Sequence, residues 1–573
     1  MVSSIVTIGF NQIFDNENYE DYLSRMNDIP KSLLIDASTH LLSFNYNDSF
    51  VINHRELLSN WFSDSNNILA NEINDKINKY KKSKSVEITI INAKASLTLF
   101  EKVLSTNSNP PEISNDEFEV LLFKVYLAIN ETLNKNDELV ISSINDNEEY
   151  PRLICMSIAT SLPTFDISNY DILAVFVAQT IKSIFLFEFL ENRADCRKML
   201  SDFYRKFYVE NYKEFLRRLL SISFTILSAK KTGKIDLILE RDEHFISNTA
   251  FLDKFTINLL EKNDDDIDYL NLRSNPLIKI RDNKYRIIFP LFAIEKNFNG
   301  LYFLLKEIND NYEENQRINL RQIFTYDFSE RHILYTIIEQ IYKKKYVKFK
   351  GDNMATPGSP DYYIRNGSKI FIFESKDILI NASIKESYNF IEYERALKEK
   401  LYFNKGKIKT SPKAVRQLAN FCRILLKGEF KEDLNFKPKS AKIYPIIILH
   451  NRQLDILGLN NLINIWFQQE IDMINDGNIN LQHIRMPTII NIDTLILLYE
   501  KLLMGKIKIE DIIDDYQLFI NDKSLKNKTF KTKEKLLSAI QDQLVSFNYF
   551  VTKKYGWDIP RLFEEKGFSV LKQ

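Results

Sequence analysis

Residues 358–377 read GSPDYYIRNGSKIFIFESKD, and this stretch decides the fold of the C-terminal half. The dipeptide Asn366-Gly367 is a strong signal for a two-residue hairpin turn, because both central residues of the favoured turn need positive φ. If these two residues form the turn, Arg365 lies opposite Ser368. The apolar runs on either side then predict two antiparallel strands.

The register of this hairpin brings three ionisable side chains together. Counting outward from the turn places Asp361 opposite Ile372. Side chains alternate along a strand, so Glu374 and Lys376 share the face of Asp361 while Ser375 points away. Asp361 is then diagonal to Glu374, at about 7 to 8 Å between backbones. The sequence predicts two carboxylates and one ammonium group at the same point of the sheet.

Two adjacent carboxylates on a strand rich in Ile and Phe need a cation. Carboxylates repel one another, and burial without a counter-charge favours their protonated forms. Mg²⁺ binds hard oxygen ligands and commonly uses one or two carboxylates together with substrate phosphate. Lys376 would orient or deprotonate a water molecule and offset negative charge on a phosphate. This chemistry predicts hydrolysis of phosphodiester bonds at Asp361, Glu374 and Lys376.

The order Pro360-Asp361, hairpin, Glu374-Ser375-Lys376 resembles the PD-(D/E)XK nuclease superfamily. The resemblance covers residues 324–503 and rests on three matched positions. It implies a restriction-endonuclease-like α/β domain with a mixed sheet flanked by helices. It also implies Mg²⁺ or Mn²⁺ bound by the Asp and the Glu, with Ser375 in the metal site, and a Lys that assists the attacking water.

Two further positions follow from the same resemblance. Many members carry a metal-facing Glu on the helix before the Asp strand, and Glu330 matches it; the alternative is that Asp327 and Glu330 form a capping box. Some members carry a Gln on the helix after the Lys strand, and Gln417 in KAVRQL is similar. The alternative for Gln417 is an exposed helical side chain.

Basic side chains cluster on both sides of the motif and predict phosphate contacts. The alternative is a solvated charged face. The predicted nucleic-acid-binding residues are Lys345, Lys348, Lys350, Lys405, Lys407, Lys409, Lys413 and Arg416.

Helices and further strands are expected around the motif. Apolar periodicity predicts a helix over 327–345 and another over 382–402. Ser411-Pro412 is typical of an N-cap followed by the first helical residue, so a third helix should begin there. Strands are expected at 441–450 and 487–492. This order predicts helices packed on a mixed sheet.

The whole chain has 573 residues, which is too long for one core. We expect an N-terminal α or α/β region over 1–130, and a mainly helical region over 131–316 with a β-hairpin near 276–290. The nuclease-like domain should span 317–515, with a helical tail over 516–573. Polar residues at 134–150 predict a loop.

Composition limits the class of protein. Lys+Arg and Asp+Glu both number 77, so nucleic-acid binding would have to depend on local patches. The three cysteines are widely spaced, which suits neither a disulfide framework nor a zinc site and indicates a cytoplasmic protein. The apolar run 172–190 contains Gln179, Lys182 and Glu188, which favours a buried helix over a membrane span. No membrane partner is expected.

The sequence as a whole predicts a cytoplasmic, metal-dependent endonuclease. Double-stranded DNA is expected ahead of RNA by resemblance alone, and restriction or anti-phage defence is an analogy. One alternative is a non-catalytic nucleic-acid-binding or assembly protein that keeps the nuclease fold. Another is an RNA-cleaving, toxin-like effector. Double-strand cleavage needs two centres, so a homodimer or a partner protein bound through the N-terminal half is also expected.

Overall fold

The computed structural model describes most of the chain. The described residues are 5–44, 46, 53–84, 87–106, 112–145, 149–229, 233–259, 267–342, 345–405, 410–474, 481–521 and 539–572.

The N-terminal half is mainly helical, as its apolar periodicity predicts. Its helices are α1 (Tyr19–Ser24), α2 (Lys31–Leu42), α3 (His54–Trp61), α4 (Asn67–Lys84), α5 (Ala93–Ser105), α6 (Asn115–Ser142), α7 (Glu149–Ser161), α8 (Phe165–Ser168), α9 (Ile172–Glu191), α10 (Arg197–Lys206), α11 (Tyr212–Ser228), α12 (Phe245–Asp253), α13 (Leu270–Ser274), α14 (Pro290–Glu295) and α15 (Leu301–Asp310).

Five short strands accompany these helices. Strands β1 (Ile5–Thr7) and β2 (Glu87–Thr89) form a parallel pair. Strands β4 (Leu277–Arg281) and β5 (Lys284–Ile287) form an antiparallel hairpin, so the hairpin predicted near 276–290 is confirmed. Strand β3 (Asp236–Ile238) pairs with the other edge of β5, which the sequence did not predict.

The loop predicted at 134–150 is wrong over its first part. Helix α6 continues to Ser142, because apolar residues recur along its length and Ser114 and Glu117 cap its start with a capping box. The unit boundary placed between residues 130 and 131 therefore falls inside a helix. The division of the chain into four units stays a prediction.

The C-terminal half combines helices with a larger sheet. Its helices are α16 (Leu320–Gln322), α17 (Tyr335–Ile341), α18 (Ala382–Lys385), α19 (Phe390–Leu397), α20 (Ala414–Leu426), α21 (Leu459–Ile474), α22 (Ile492–Leu503), α23 (Ile509–Ile520), α24 (Phe547–Lys554) and α25 (Arg561–Leu571). Its strands are β6 (Val347–Lys350), β7 (Tyr362–Asn366), β8 (Lys369–Lys376), β9 (Phe403–Lys405), β10 (Thr410–Pro412), β11 (Lys442–Leu449) and β12 (Thr488–Asn491).

Five of these strands form one mixed sheet in the order β12-β11-β8-β7-β6. Strands β6, β7 and β8 are antiparallel neighbours, whereas β8, β11 and β12 run parallel. The carboxyl ends of the three parallel strands therefore meet at one edge, where polar residues of parallel sheets commonly gather. Lys376, Leu449 and Asn491 mark that edge.

Helices cover both faces of the sheet. On the face that we call the α17 face, Phe371 and Phe373 belong to the same hydrophobic cluster as Ile337 of α17. On the opposite face, the α20 face, Ile370 and Ile372 belong to the cluster that holds Val415 and Leu418 of α20. The cluster of the α17 face also includes residues from Ile8 to Val570, so the helical N-terminal half shares a core with the sheet.

Three predicted helix boundaries are corrected. Ser411 and Pro412 lie in β10, and α20 begins only at Ala414, because this segment pairs with β9 instead of capping the helix. The helix expected over 382–402 is interrupted at Tyr388, where φ is +46°. The helix expected from residue 327 begins earlier, at Leu320, and is π-helical from Ile323 to Leu334.

Helix α9 is confirmed as a buried helix. Among the described residues it is the one helix long and apolar enough to cross a membrane. However, 72% of its most apolar window is buried inside the protein, as expected for a core helix. Lys182 lies in the middle of this helix and is 2% exposed.

Candidate metal-binding centre at the end of strand β8

The hairpin that carries the motif has a different turn from the one predicted. Asn366 pairs with Lys369, so the two turn residues are Gly367 and Ser368, and Gly367 has φ of +62°. Tyr362 consequently pairs with Phe373. Extending this ladder by one step sets Asp361 directly opposite Glu374, whereas the predicted register made the two residues diagonal. The turn still contains two residues, so neither side chain changes face.

Asp361 lies just before β7 and is held on three sides. Its Oδ2 accepts a hydrogen bond of 2.6 Å from the Ser375 N–H. Its carbonyl oxygen accepts from the Gly351 N–H at 2.8 Å and from the Tyr335 hydroxyl at 3.1 Å. A Cβ atom at Gly351 would lie 3.1 to 3.2 Å from Asp361 backbone atoms, so this close approach favours glycine. The carboxylate is therefore fixed at the mouth of the hairpin.

Glu374 and Lys376 form a short ion pair on the α20 face. Lys376 Nζ lies 2.6 Å from Glu374 Oε1. The side chain of Glu374 is 2% exposed and that of Lys376 is 19% exposed. A buried carboxylate needs such a partner, because transfer of an unpaired charge into the interior is costly.

Glu330 joins this centre from the π-helical segment. Its carboxyl group hydrogen-bonds the carboxyl group of Asp361, so one of the two is protonated in this arrangement. The capping-box alternative for Glu330 is wrong. The helix begins at Leu320 with Asn319 as its cap, and Asp327 instead forms a 2.8 Å ion pair with Arg193. π-Helical segments occur often at functional sites.

The three carboxyl groups of the centre all have raised pKa values. Burial, followed by the charge of Asp361, raises the pKa of Glu374 to about 7 and that of Glu330 to about 9, against the pull of Lys376. Burial also raises the pKa of Asp361, although Lys376 and the Ser375 N–H oppose the shift. Burial lowers the pKa of Lys376, but Glu374 and Asp361 outweigh it and hold that pKa above its usual value. The centre carries more negative charge than one lysine can balance.

These pKa shifts predict the pH dependence of stability in the absence of divalent metal. A carboxyl group with a raised pKa in the folded state binds a proton on folding, so the free energy of unfolding decreases as the pH rises from about 4.5 to about 9. Glu374 alone contributes on the order of 3 kcal/mol to this decrease. Urea unfolding in EDTA across this pH range measures it.

Two comparisons check that prediction. Glu374→Gln should remove a large part of the decrease, because the amide does not titrate. Saturating Mn²⁺ should flatten the same curve, because a bound cation displaces the protons. A wild-type curve that rises over this range would contradict the shared-proton arrangement.

The donor chemistry of the centre fits a hard divalent cation. Asp361, Glu374 and Glu330 offer carboxylate oxygens, and Asp361, Lys376 and Glu330 are each only half-buried, so the centre retains contact with solvent. In the structure Lys376 and a shared proton supply the compensating charge. Within the described ranges, no three His, Cys, Asp or Glu side chains already have the geometry of a metal cage. Binding of a cation would require these carboxyl groups to exchange partners.

Among the described residues, neither the Ser375 hydroxyl nor the Gln417 side chain is hydrogen-bonded to the three carboxyl groups. The Ser375 side chain points away from Glu374, as predicted, and its Oγ lies 2.8 Å from His450 Nε2. Gln417 is half-buried on α20, which packs against β8. Its Oε1 is buried without a hydrogen-bond partner in the part of the chain that the structure describes. Gln417 therefore has an acceptor available for a ligand.

Some of the predicted phosphate-binding residues are already engaged in structural contacts. Arg416 forms a 2.7 Å ion pair with the buried Glu470 and lies over the ring of Phe403, so a structural contact already engages its guanidinium group. Lys350 lies 2.9 Å from Glu339 Oε1 and Lys348 donates to the Tyr342 carbonyl. Lys345 is exposed and Lys413 is half-buried. Lys405 lies in β9 with an undescribed side chain, whereas Lys407 and Lys409 lie outside the described residues.

Sequence reasoning did not show how four side chains support the centre. Ser329, next to Glu330, donates a 2.6 Å hydrogen bond to Asp377 Oδ2. His450 contacts Ser375, and Tyr335 contacts the Asp361 carbonyl. The strand end ahead of His450 was visible in the sequence, but the partners of these side chains are distant in the chain. No local pattern could have identified them.

Two surface cavities lie away from the carboxylate centre. One, of about 610 Å³, is lined by residues between Phe224 and Asp236, and another, of about 320 Å³, is lined by residues between Tyr22 and Lys124. Neither includes a residue of the carboxylate centre. The centre combines a buried Glu374 with half-buried Asp361, Glu330 and Lys376.

Comparison with known proteins gives no relative for this chain. No family model, no curated protein and no solved structure matches it.

Proposed function

We propose that this protein is a metal-dependent nuclease with a PD-(D/E)XK-type centre at Asp361, Glu374 and Lys376. One observation carries the proposal. Three carboxyl groups, from the hairpin and from the preceding helix, meet beside one lysine at the end of a buried strand. Clustered carboxyl groups with perturbed pKa values are typical of functional sites.

The surrounding fold supports this proposal. The motif lies in a mixed five-stranded sheet with helices on both faces, which is the arrangement that the resemblance implies. Glu330, the position chosen by the same resemblance on the preceding helix, contacts Asp361. A surface hairpin with a simple cross-face ion pair would not bury Glu374 or bring Glu330 to the same point.

Asp361, Glu374 and Glu330 are the residues that would hold Mg²⁺ or Mn²⁺. When bound, such an ion supplies positive charge beside the scissile phosphate. Asp361 is oriented for this function by the Ser375 N–H, and Glu374 is oriented by Lys376. The protein thus fixes two of the three carboxyl groups before any ligand arrives.

Lys376 acts in this proposal as a cation and hydrogen-bond donor. Glu374 and Asp361 hold its pKa above the usual value, so it stays protonated at neutral pH. A protonated ammonium group offsets negative charge that develops on the phosphate. It would not act as a base while both carboxylates remain beside it.

DNA is the proposed substrate class, by the resemblance alone. Phosphate contacts would come from Lys345 and Lys413, which form no ion pair with the residues that the structure describes. Gln417 would supply a further polar contact. A role in restriction or anti-phage defence belongs to this proposal as an analogy. Cleavage of both strands would require a second centre in a homodimer or a partner.

A nuclease assay tests the proposal directly. The purified protein is incubated with supercoiled plasmid and with structured RNA, each with Mg²⁺, Mn²⁺ or EDTA. We expect nicked or linear plasmid with Mg²⁺ or Mn²⁺ and intact plasmid with EDTA. Glu374→Gln is the matched inactive variant, because the amide keeps the shape of the side chain and removes the charge.

The other outcomes separate the alternatives. Cleavage of RNA only would favour the toxin-like effector. Binding of DNA without cleavage under any metal condition would favour a nucleic-acid-binding or assembly protein. Equal cleavage by wild type and Glu374→Gln would indicate a contaminating nuclease and remove the support for this centre.

A further inference from the structure

Helix α9 of the N-terminal half carries a buried lysine next to the sheet edge that holds the centre. Lys182 Nζ lies 2.7 Å from Asp493 Oδ1, in the first turn of α22 just after β12. It also lies 3.5 Å from the carbonyl oxygen of His450, just after β11. The ring of Phe298 covers it at 4.7 Å. A buried ammonium in this position connects α9 to the ends of two parallel strands.

The connection from Lys182 to the centre passes through His450 to strand β8. His450 Nε2 lies 2.8 Å from Ser375 Oγ, between Glu374 and Lys376 in sequence. Burial and the nearby charge of Lys182 lower the pKa of His450 to about 3, so the ring is neutral and its contact is a hydrogen bond. The Ser375 N–H donates in turn to Asp361. Ser375 therefore links His450 to the carboxylate of the motif.

A separate hydrogen bond joins strand β8 to the helix of Glu330. Asp377 directly follows Lys376 and accepts a hydrogen bond of 2.6 Å from the Ser329 hydroxyl. Asp377 therefore ties the end of β8 to the residue preceding Glu330.

Helix α9 also packs directly on the helix that bears Glu330. The ring of Phe189 lies 5.0 Å from that of His332 and 5.7 Å from that of Phe328. Arg193, just beyond α9, pairs with Asp327 at 2.8 Å. The same helix therefore supports both elements that supply carboxyl groups to the centre.

We propose that Lys182 is a positioning residue for the carboxylate centre, acting through His450 and Ser375. This inference rests on the proposed function, since it states how the metal-binding groups are held. It makes the N-terminal half a working part of the centre. Outer partners of metal ligands set their orientation, and their loss commonly weakens metal binding about 10- to 100-fold.

The test compares Lys182→Met with Lys385→Met in the full chain. Lys385 is a matched control, because it is fully buried and its Nζ lies 2.7 Å from Asp268. Among the described residues, the ion pairs of Lys385 include no motif residue. Both substitutions should lower the melting temperature. Only Lys182→Met should weaken Mn²⁺ binding, by about 10-fold or more, as measured by electron paramagnetic resonance titration.

Ser375→Ala provides a milder second variant. It removes the hydroxyl that contacts His450 and keeps the N–H that contacts Asp361. It should also weaken Mn²⁺ binding. In the double variant with Lys182→Met, the fold-loss of Mn²⁺ affinity should be smaller than the product of the fold-losses in the two single variants. A fold-loss of Mn²⁺ affinity in the double variant equal to that product would overturn the proposal. Wild-type Mn²⁺ affinity in Lys182→Met would also overturn it.

Thermal unfolding of the wild type, Lys182→Met, Ser375→Ala and the double variant separates this inference from the proposed nuclease activity. If Lys182 and Ser375 belong to one connected group, the loss in melting temperature of the double variant is smaller than the sum of the single losses. This result supports the connection even for a protein that cleaves no substrate. Additive losses overturn it even if the wild type is an active nuclease.

Discussion

Asp361→Asn is expected to abolish phosphodiester cleavage while leaving the protein at least as stable as the wild type at neutral pH. The amide keeps an oxygen that accepts from the Ser375 N–H. It removes one of three carboxyl groups that repel each other beside Lys376, and with it a hard ligand for the divalent ion. Cleavage should fall by at least about 100-fold. Plasmid nicking with Mg²⁺ and thermal unfolding in EDTA measure the two effects.

Asp352→Asn is the matched control for that substitution. Asp352 lies close enough to influence the pKa of Asp361, but it is 44% exposed and paired with Arg331. Its replacement should leave cleavage within a few-fold of wild type. Retained cleavage in Asp361→Asn would contradict the proposed centre, and loss of cooperative unfolding would assign Asp361 to structure instead.

Lys376→Met is expected to lose both cleavage and stability, with the larger stability loss at high pH. The substitution leaves Glu374 buried without its partner at 2.6 Å. Removing one member of a buried ion pair costs about 3 to 5 kcal/mol, unless the remaining group takes up a proton. Below about pH 5 Glu374 is protonated and the loss should be small. Urea unfolding at pH 5 and pH 8, with a plasmid assay, measures this difference.

The double variant Lys376→Met with Glu374→Gln distinguishes the two functions of the lysine. Removing the unpaired carboxyl group should restore most of the stability at pH 8 and none of the cleavage. Lys369→Met, at the other end of β8, removes a lysine paired with Glu510 at 3.0 Å and should leave cleavage unchanged. Stability loss that is the same at pH 5 and pH 8 would contradict the buried-pair explanation.

The local pattern of the motif was sufficient to place its strands. Apolar content predicted strands over 361–365 and 369–376. The structure has β8 at the predicted bounds and β7 within one residue at each end. The turn was misplaced by one residue, since Asn366 pairs within the ladder and Gly367 alone supplies positive φ. The predicted sheet faces of the motif side chains are correct because the turn still contains two residues. Such small errors are common where two neighbouring residues both favour a turn.

For Glu330, the local sequence pattern does not decide between a capping residue and a site residue. Its spacing from Asp327 fits a capping box, and nothing nearby in sequence excludes that interpretation. The helix starts instead at Leu320, and Asp327 is occupied by Arg193, a residue 134 positions away. The contact of Glu330 with Asp361 likewise joins two separate elements, the π-helical segment and the start of β7. Only packing decides between a cap and a site residue.

The basic residues illustrate the same limit. Arg416 belongs to a sequence run that favours phosphate binding, yet Glu470 on α21 holds its guanidinium group. Charge runs specify composition, whereas the availability of each charge depends on its partner in space.

The sequence by itself determined the element that carries the chemistry. Asp361, Glu374 and Lys376 share a location because side chains alternate along a strand and a two-residue turn fixes the register. These are local, covalent and steric constraints.

The tertiary structure alone decided how that element is held and charged. Helix α9 brings Lys182 to the sheet edge, and the π-helical segment brings Glu330 to Asp361. The pKa values of the centre follow from this burial and proximity. Electrostatic energies depend on distances between groups and on their removal from water, and neither quantity is encoded in the spacing of residues along the chain.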